Sequence, residues 1–502
     1  MRGDLLLLSL FAVSSANAQH ACFSPLQITK IVATGDDLPG DDVGGAFVNN
    51  VELAASGTNR VAIALGTGLS TNGVIWVTTN SDPSSVRIRD RQMQSGISIS
   101  AKPTAVQAAL FDWPLEAFES GATGFPSAVS YHKIDAVIEG QSVHIATSGA
   151  DVPDFEANWE SLRDAKIPDN DNSPFWRGEV RAFDPAWDSF DALAFGSAAE
   201  VGIVLASGQS LSNGTRLTDR DPIIRYSVSP DGAEVMAVVR TVDNSAADTA
   251  LIFADALGQD VRVLGEQSGG IGRAAPGWFW NRFQHISLTK RAWNCGVPTW
   301  FASGQATGPA GQRWVIVRDG QLALIEGQDV CDPKFSIRGP VMGLDSNTSG
   351  DIASIWVKPT GNGVNRPAPV VLVNDVPLIG CGASLPAVSG QAFRKVSHIF
   401  PTVAISDREE DGATSIYLHV RVATDEDMLV NGLGHGEVIR VVVQLEPESY
   451  CIADFNDDDV VNQQDLTLFV LAWIERSVDV NCDDTTDESD LTDFLAAWQI
   501  GC

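Results

Sequence analysis

Positive charge is scarce in this chain: 33 Lys and Arg stand against 64 Asp and Glu over 502 residues, a net charge of −31. The basic residues form no block, and so acidic a surface repels nucleic acid and anionic membranes, which excludes nucleic acid as a partner. Long apolar runs are also lacking. Nothing reaches the ~18 consecutive apolar residues of a bilayer-spanning helix, so no membrane span is expected. Between residues 26 and 447 no stretch shows a long helical period. Signatures of common chemistry are missing too: there is no Cys-x-x-Cys, His-Glu-x-x-His, phosphate-binding glycine loop, dinucleotide turn or nucleophile elbow. The seven His are scattered without ligand spacing.

What is present begins with a targeting segment. Leu5 to Val13 is a short apolar run, and Ala16 and Ala18 form the small-x-small pattern that precedes cleavage. Residues 1–18 therefore read as a signal peptide, and the mature chain is expected to be secreted or held at the cell surface. Seven cysteines remain, at Cys22, Cys295, Cys331, Cys381, Cys451, Cys482 and Cys502. Export permits disulfides, and the odd number leaves at least one thiol free or intermolecular. Cys295, Cys331 and Cys381 are candidates for one bridge.

Residues 19–447 read as short strands separated by turn residues. Two phrases recur. One is a turn followed by an inner strand, as in Ser229-Pro230-Asp231-Gly232 before Val235–Val238, in Ser56-Gly57 before Val61–Ile63, and in Asn347–Gly350 before Ile352–Trp356. The other is a hairpin, as in Trp314–Ile325 around Asp319-Gly320, in Leu251–Leu264 and in Val371–Ile379. Asp-Gly between apolar runs is a strong hairpin signal. The phrases alternate at roughly 45 to 60 residues, the size of one four-stranded propeller blade. The predicted body is β-propeller-like with six or seven blades, near 48–90, 104–150, 223–268, 283–328, 341–384 and 398–447. The stretch 151–222 breaks the pattern, either as a degenerate seventh blade around Leu193 to Ser210 or as an insertion. Ile28–Pro39 resembles Val143–Pro153, which ends a blade. The N-terminal strand is therefore expected to complete the last blade and remove its open edge. A pair of two-sheet sandwiches is the competing architecture.

Residues 450–502 differ in kind. They hold 13 Asp or Glu against one Arg, and one unit is written twice, 25 residues apart. The first copy places Asp454, Asn456, Asp458, Asn462 and Asp465 at loop positions 1, 3, 5, 9 and 12, and the second places Asp479, Asn481, Asp483, Asp487 and Asp490 there. Val460 and Thr485, at position 7, would supply backbone carbonyls. A loop of about 12 residues with this spacing wraps about six to eight hard oxygen ligands around Ca2+, so two Ca2+ sites are expected. After each loop, Leu466, Phe469, Val470 and Trp473, then Leu491, Phe494, Leu495 and Trp498, fall at helical spacing. This doubled loop-helix unit resembles the dockerin family of paired half EF-hands, and Cys451 with the terminal Gly501-Cys502 resembles the GC-type tail on secreted proteins of planctomycete-like bacteria. The resemblance implies a small α domain. It also implies a Cys451–Cys502 clasp and a cohesin-like or cell-surface partner contacted near Gln463-Gln464 and Glu488-Ser489. Position 6 departs from the family's glycine, with Asp459 and Asp484, which tolerate the left-handed turn less well than Gly. The strand phrases of the body are also similar to tandem-repeat proteins carried ahead of such tails.

Chemistry in the body is thinly marked. Asp36-Asp37 and Asp41-Asp42 are carboxylate pairs of the type acid–base glycoside cleavage uses, and equally of the type a solvated turn contains. Asp407–Gly412 reads as a charged turn. Aromatics gather at Trp159, Phe175, Trp176, Phe183 and Trp187, and again at Trp278, Phe279, Trp280, Phe283, Trp293 and Trp300; exposed faces would stack on sugars, buried ones would pin sheets. The expected function is an exported, non-enzymatic binding or scaffold protein, with a glycan as one possible ligand, tethered through its Ca2+-dependent tail. The alternative is a carbohydrate-active enzyme, a glycosidase or lyase. A purely structural envelope protein is a third reading.

Overall fold

The structure is a computed structural model. It describes residues 25, 27–36, 46–56, 60–67, 70–79, 86–89, 133–138, 141–147, 149–153, 155–166, 168, 174–182, 189–196, 200–243, 246–259, 261–267, 273–290, 298–330, 335–358, 368–388, 391–409, 411–445, 453, 455, 461–474 and 488–500.

The body is almost all antiparallel strand, and each sheet is a meander of consecutive strands. Sheet A comprises Ala46–Ser56, Arg60–Thr67, Ser70–Thr79 and Val86–Arg89. The pair Lys133–Ile138 and Gln141–Thr147 follows. Sheet B is Ala157–Lys166, Phe175–Ala182, Phe190–Gly196 and Val201–Ala206. Sheet C is Ile223–Val228, Glu234–Asp243, Ala246–Asp255 and Val261–Glu266, with Arg216–Leu217 beside its second strand. Sheet D is Trp278–Lys290, Pro298–Gly308, Gly311–Arg318 and Gln321–Ile325, with Arg273–Ala275 paired to its first strand. Sheet E is Arg338–Ser346, Ile352–Lys358, Ala368–Val373 and Val376–Gly380. Sheet F is Lys395–Ile405, Ala413–Ala423 and His435–Gln444, completed by the N-terminal strand Gln27–Ala33.

This completion is the ring closure expected from the resemblance of the two strand phrases. Gln27 pairs with Val442 and Ala33 with Glu437. The first strands of sheets C, D, E, F and A lie side by side in that order, which puts sheet A against sheet F and makes the body β-propeller-like. The apolar core is correspondingly a series of layers between neighbouring sheets. Ile355, Val371, Leu418 and Val441 fill the layer between E and F; Val61, Ile63, Tyr417 and Val438 fill that between A and F. A sheet covered on both faces needs apolar residues on both. Ile352–Val357 is accordingly buried without a break, and burying each such side chain stabilises by roughly 1.5–3 kcal/mol.

One expectation is corrected. The stretch 151–222 is not an insertion, and its sheet is complete: sheet B spans Ala157–Ala206 with four strands. Its first strand carries bulges between Trp159 and Ser161 and between Arg163 and Lys166, which break the alternation that marks a strand. The strands that follow the recurrent turn (Arg60–Thr67, Glu234–Asp243, Ile352–Lys358) are inner strands, as expected, second in their sheets, and the strands before the turn contact each other. Cys381 is a free, half-buried thiol, raised to about 11 by burial, while Cys295, Cys331, Cys451 and Cys502 lie outside the described residues. Of the expected blade 104–150, only the pair within 133–147 is described.

Beyond the body lie helices α2, Gln463–Ile474, and α3, Glu488–Ile500; a short α1, Glu426–Asn431, caps the hairpin before His435. Phe469 and Phe494, equivalent positions of the doubled unit, are fully buried and stack with centroids 3.9 Å apart. Phe455 meets both edge-on. No helix among the described residues is long and apolar enough to cross a membrane.

Candidate functional site: the inner strands

The first strands of sheets C, D, E, F and A form the inner wall of the body, and polar bonds stitch them together. The Leu288 amide donates to Ser227 Oγ (3.0 Å), joining D to C. Between D and E, His285 Nε2 donates to the Val341 carbonyl (3.2 Å), Ser287 and Ser346 hydroxyls meet at 2.8 Å, and Thr289 Oγ1 donates to the Asn347 carbonyl (2.7 Å). The Ile405 amide donates to Asp345 Oδ2 (3.0 Å) between F and E, and Thr402 Oγ1 donates to the Val51 carbonyl (3.2 Å) between F and A. Between D and E the residue numbers of both partners ascend together, so these two strands run in the same direction and side chains 56 to 59 residues apart in sequence stand at one level.

Three ionisable groups on this wall are shifted. Burial raises Asp345 to about 6, against the pull of the Ile405 and Ser346 amides and of Lys166, while Asp407 pushes it further up. Burial, then the positive charge of Arg225, lowers His285 to about 4; its bond to Val341 opposes this. Burial, then Arg282, lowers Arg225. Arg225 is half-buried and Arg282 exposed, and neither has a carboxylate within ion-pair distance among the described residues. The buried Arg177 and Arg394 and the partly buried Arg408 are neutralised: Arg177 by Asp221 at 2.9 Å, Arg394 by Glu437 at 2.5 Å and Arg408 by Asp351 at 2.5 Å.

A second polar cluster lies between sheets F and A. His419 stacks on Phe400 (3.9 Å between centroids), His398 meets the same ring edge-on, and Arg421 sits 5.4 Å from it. Burial, with Arg421 and His398 adding to it and the Val48 backbone opposing, brings His419 to about 4.

The residues marked in the sequence fare unevenly. Asp36 is a turn residue, bound by Lys30 Nζ at 2.9 Å and by the Ala33 amide at 2.8 Å; Asp37, Asp41 and Asp42 lie outside the described residues. Asp407 and Arg408 do more than solvate a turn. Asp407 accepts from Thr348 Oγ1 (2.6 Å), and Arg408 neutralises the fully buried Asp351, so this segment pins sheet F to sheet E. Trp159, Phe175, Trp176, Trp278, Trp280 and Phe283 are buried between sheets, Trp159 and Trp176 edge-to-face at 5.8 Å, and cannot serve as a sugar platform. Phe279 is exposed and Trp300 half-buried, whereas Phe183, Trp187 and Trp293 lie outside the described residues.

In the tail, Asp454, Asn456, Asp458, Val460, Asp479, Asn481, Asp483, Thr485 and Asp487 lie outside the described residues. The others stand at the helix starts. Asn462 caps α2, accepting from the Gln464 amide (2.7 Å), while Asp465 Oδ2 accepts from the Asn462 amide (2.8 Å). Asp465 and Asp490 are both fully buried at equivalent positions, and Trp498 Nε1 donates to the Asn462 carbonyl (3.2 Å), tying α3 to the first loop.

Sequence reasoning missed Arg225, Arg282, His285 and Asp345. No local motif surrounds them, since the partners that shift Asp345 and His285 include residues of other sheets.

No family model matches the chain. No curated protein matches it either. Solved structures of similar fold include a prolyl endopeptidase (11% identity, TM-score 0.38, covering 80% of this chain and 51% of that one). They also include an oligogalacturonate lyase from Vibrio parahaemolyticus (12% identity, TM-score 0.40, 86% and 100%). A third is the β-propeller domain of the Trilobed protease from Pyrococcus furiosus (9% identity, TM-score 0.30, 65% and 95%). The chain spans about half the length of the prolyl endopeptidase.

Proposed function

We propose that the protein is an exported binding protein that takes its ligand at the inner wall of the body and is held in place by a Ca2+-loaded, dockerin-like tail. The observation that carries the binding reading is the wall itself. Polar groups from sheets C, D, E and F converge there and are held by cross-sheet hydrogen bonds, the preorganisation a specific site requires. The tail reading is supported by the doubled ligand spacing and by the equivalent buried Asp465 and Asp490, each placed where the last ligand of its loop would stand. Its partner would be a cohesin-like module or another surface component.

Ca2+ titration of the full chain by calorimetry tests the tail. Two sites are expected, with a rise in helix content on loading. The double variant Asp454→Ala, Asp479→Ala should abolish both signals, and a wild-type chain that takes up no Ca2+ at millimolar concentration rules the tail reading out.

Asp345 favours a second reading, a carbohydrate-active enzyme. A carboxyl raised to about 6 is half protonated at that pH and can act as a general acid in mildly acidic solution. A polysaccharide panel scored for both binding and release of reducing ends separates the two. Release that disappears in Asp345→Asn establishes catalysis; binding without release leaves the binding reading.

A further inference from the structure

We propose that the α1 hairpin of sheet F is a docking surface for a second polypeptide, one that carries apolar side chains together with positive charge. The proposal does not depend on what the inner wall binds.

The hairpins between the second and third strands of sheets C and D turn tightly: Asp243 pairs with Ala246, and Gly308 with Gly311. In sheet F, Val422 pairs with His435 and α1 is inserted between them. Turns draw on Gly, Asn, Asp and Ser, whereas this insertion carries Met428, Leu429, Val430 and Leu433. No residue of α1 is buried. Met428 and Leu429 are half-buried, while Val430 is 72% and Leu433 54% exposed.

Burial is therefore not what holds the hairpin. A helix this short does not persist alone, and here polar bonds fix it. Asp425 Oδ1 accepts from the Met428 amide (2.7 Å), and Asn431 Nδ2 donates to the Asp427 carbonyl (2.8 Å). Ser397 Oγ donates to the Leu433 carbonyl (2.7 Å), and Arg421 Nη1 to the Gly432 carbonyl (3.2 Å). These bonds tie the hairpin over the start of Lys395–Ile405, so its apolar side chains are displayed at one end of the inner wall in a preset conformation. Adjacent apolar side chains left in water by a backbone that does not need them mark a contact surface.

Charge selects the occupant. Asp425, Glu426 and Asp427 are consecutive and exposed, and no Lys or Arg stands at ion-pair distance from them among the described residues. With the chain at −31, an acidic partner is repelled from this face, a second copy of this chain included. A basic, apolar segment is complementary on both counts: its apolar side chains cover Val430 and Leu433 while its cations meet the three carboxylates.

The test is fluorescence anisotropy of the full chain with labelled peptides of equal length, built from Leu and Lys, from Leu and Glu, and from Ser and Lys. The Leu-Lys peptide should bind, the Leu-Glu peptide should not, and the Ser-Lys peptide should bind more weakly than the first. Val430→Ser combined with Leu433→Ser should weaken Leu-Lys binding by about tenfold or more, the loss that accompanies two uncovered apolar contacts. Should that double variant fail to fold, Val430→Ser alone carries the same expectation. Leu257→Ser, at an exposed leucine of sheet C, should leave binding unchanged. Glu426→Gln combined with Asp427→Asn should weaken binding and flatten its salt dependence. Absence of Leu-Lys binding overturns the proposal. So does binding that survives the serine substitutions, which places the peptide elsewhere, on the acidic tail for instance, and so does equal binding of the Leu-Glu or Ser-Lys peptide.

Discussion

His419 shows what burial does to a single residue. It is 2% exposed, stacked on Phe400, and its Nε2 has no hydrogen-bond partner among the described residues. Its pKa of about 4 lies below the ordinary 6.5, so on acidification the unfolded chain takes up this proton before the folded chain does. The neutral imidazole thus favours the fold above 6.5, and that advantage is lost as pH falls from 6.5 towards 4. His285 acts in the same direction over the same window. Asp345 acts in the opposite one: raised from 3.8 to about 6, it favours the fold at low pH and loses that contribution as pH rises through 6. Replacing His419 by Phe removes one titration. In urea unfolding, the stability lost between pH 7 and pH 4.5 should shrink by up to about 2.4 kcal/mol relative to wild type. An unchanged difference would mean that His419 is not buried neutral. Nothing in the local sequence announced this residue, because its environment comes from sheet A and sheet F together.

At the scale of elements, the turns were legible and the close approaches were not. Asp319 and Gly320 have φ of 47° and 79°, the left-handed pair that a two-residue hairpin requires, and Asp-Gly between apolar runs foretold it. Asp231 and Asn347 likewise organise the turns at 229–234 and 347–351 by accepting from backbone amides. Sheet B was illegible because the bulges beside Ser161 and before Lys166 destroy the two-residue period and no Asp-Gly phrase marks its hairpins. Gly436 is a different case. A Cβ built there would lie 1.9 Å from the Val48 carbonyl oxygen, so the last sheet can approach the first only with glycine at this point. Gly436→Ala should therefore destabilise by about 1–3 kcal/mol through overpacking, read as a lower midpoint in urea. An unchanged midpoint would show that the A–F layer has slack.

The whole molecule is closed by its own N-terminus. Without Gln27–Ala33, the strand His435–Gln444 would expose an unpaired edge flanked by apolar residues, an arrangement that invites aggregation. A chain beginning at residue 34 should melt at a lower temperature and show time-dependent light scattering. A melting curve superimposable on that of the longer chain would mean that closure contributes nothing.

The sequence by itself determined the class of the body, the hairpins marked by Asp-Gly, the closing role of the N-terminal strand and the doubled acidic unit of the tail. Each of these is encoded in neighbouring residues, where turn chemistry and spacing act directly on the backbone. Only the tertiary structure decided which strands are innermost, that sheet B is complete, that Trp159, Trp176, Trp278 and Trp280 pack rather than bind, and that Arg225, His285 and Asp345 share one wall. Those outcomes depend on contacts between sheets whose residues are about 60 positions apart. No local period records such distances.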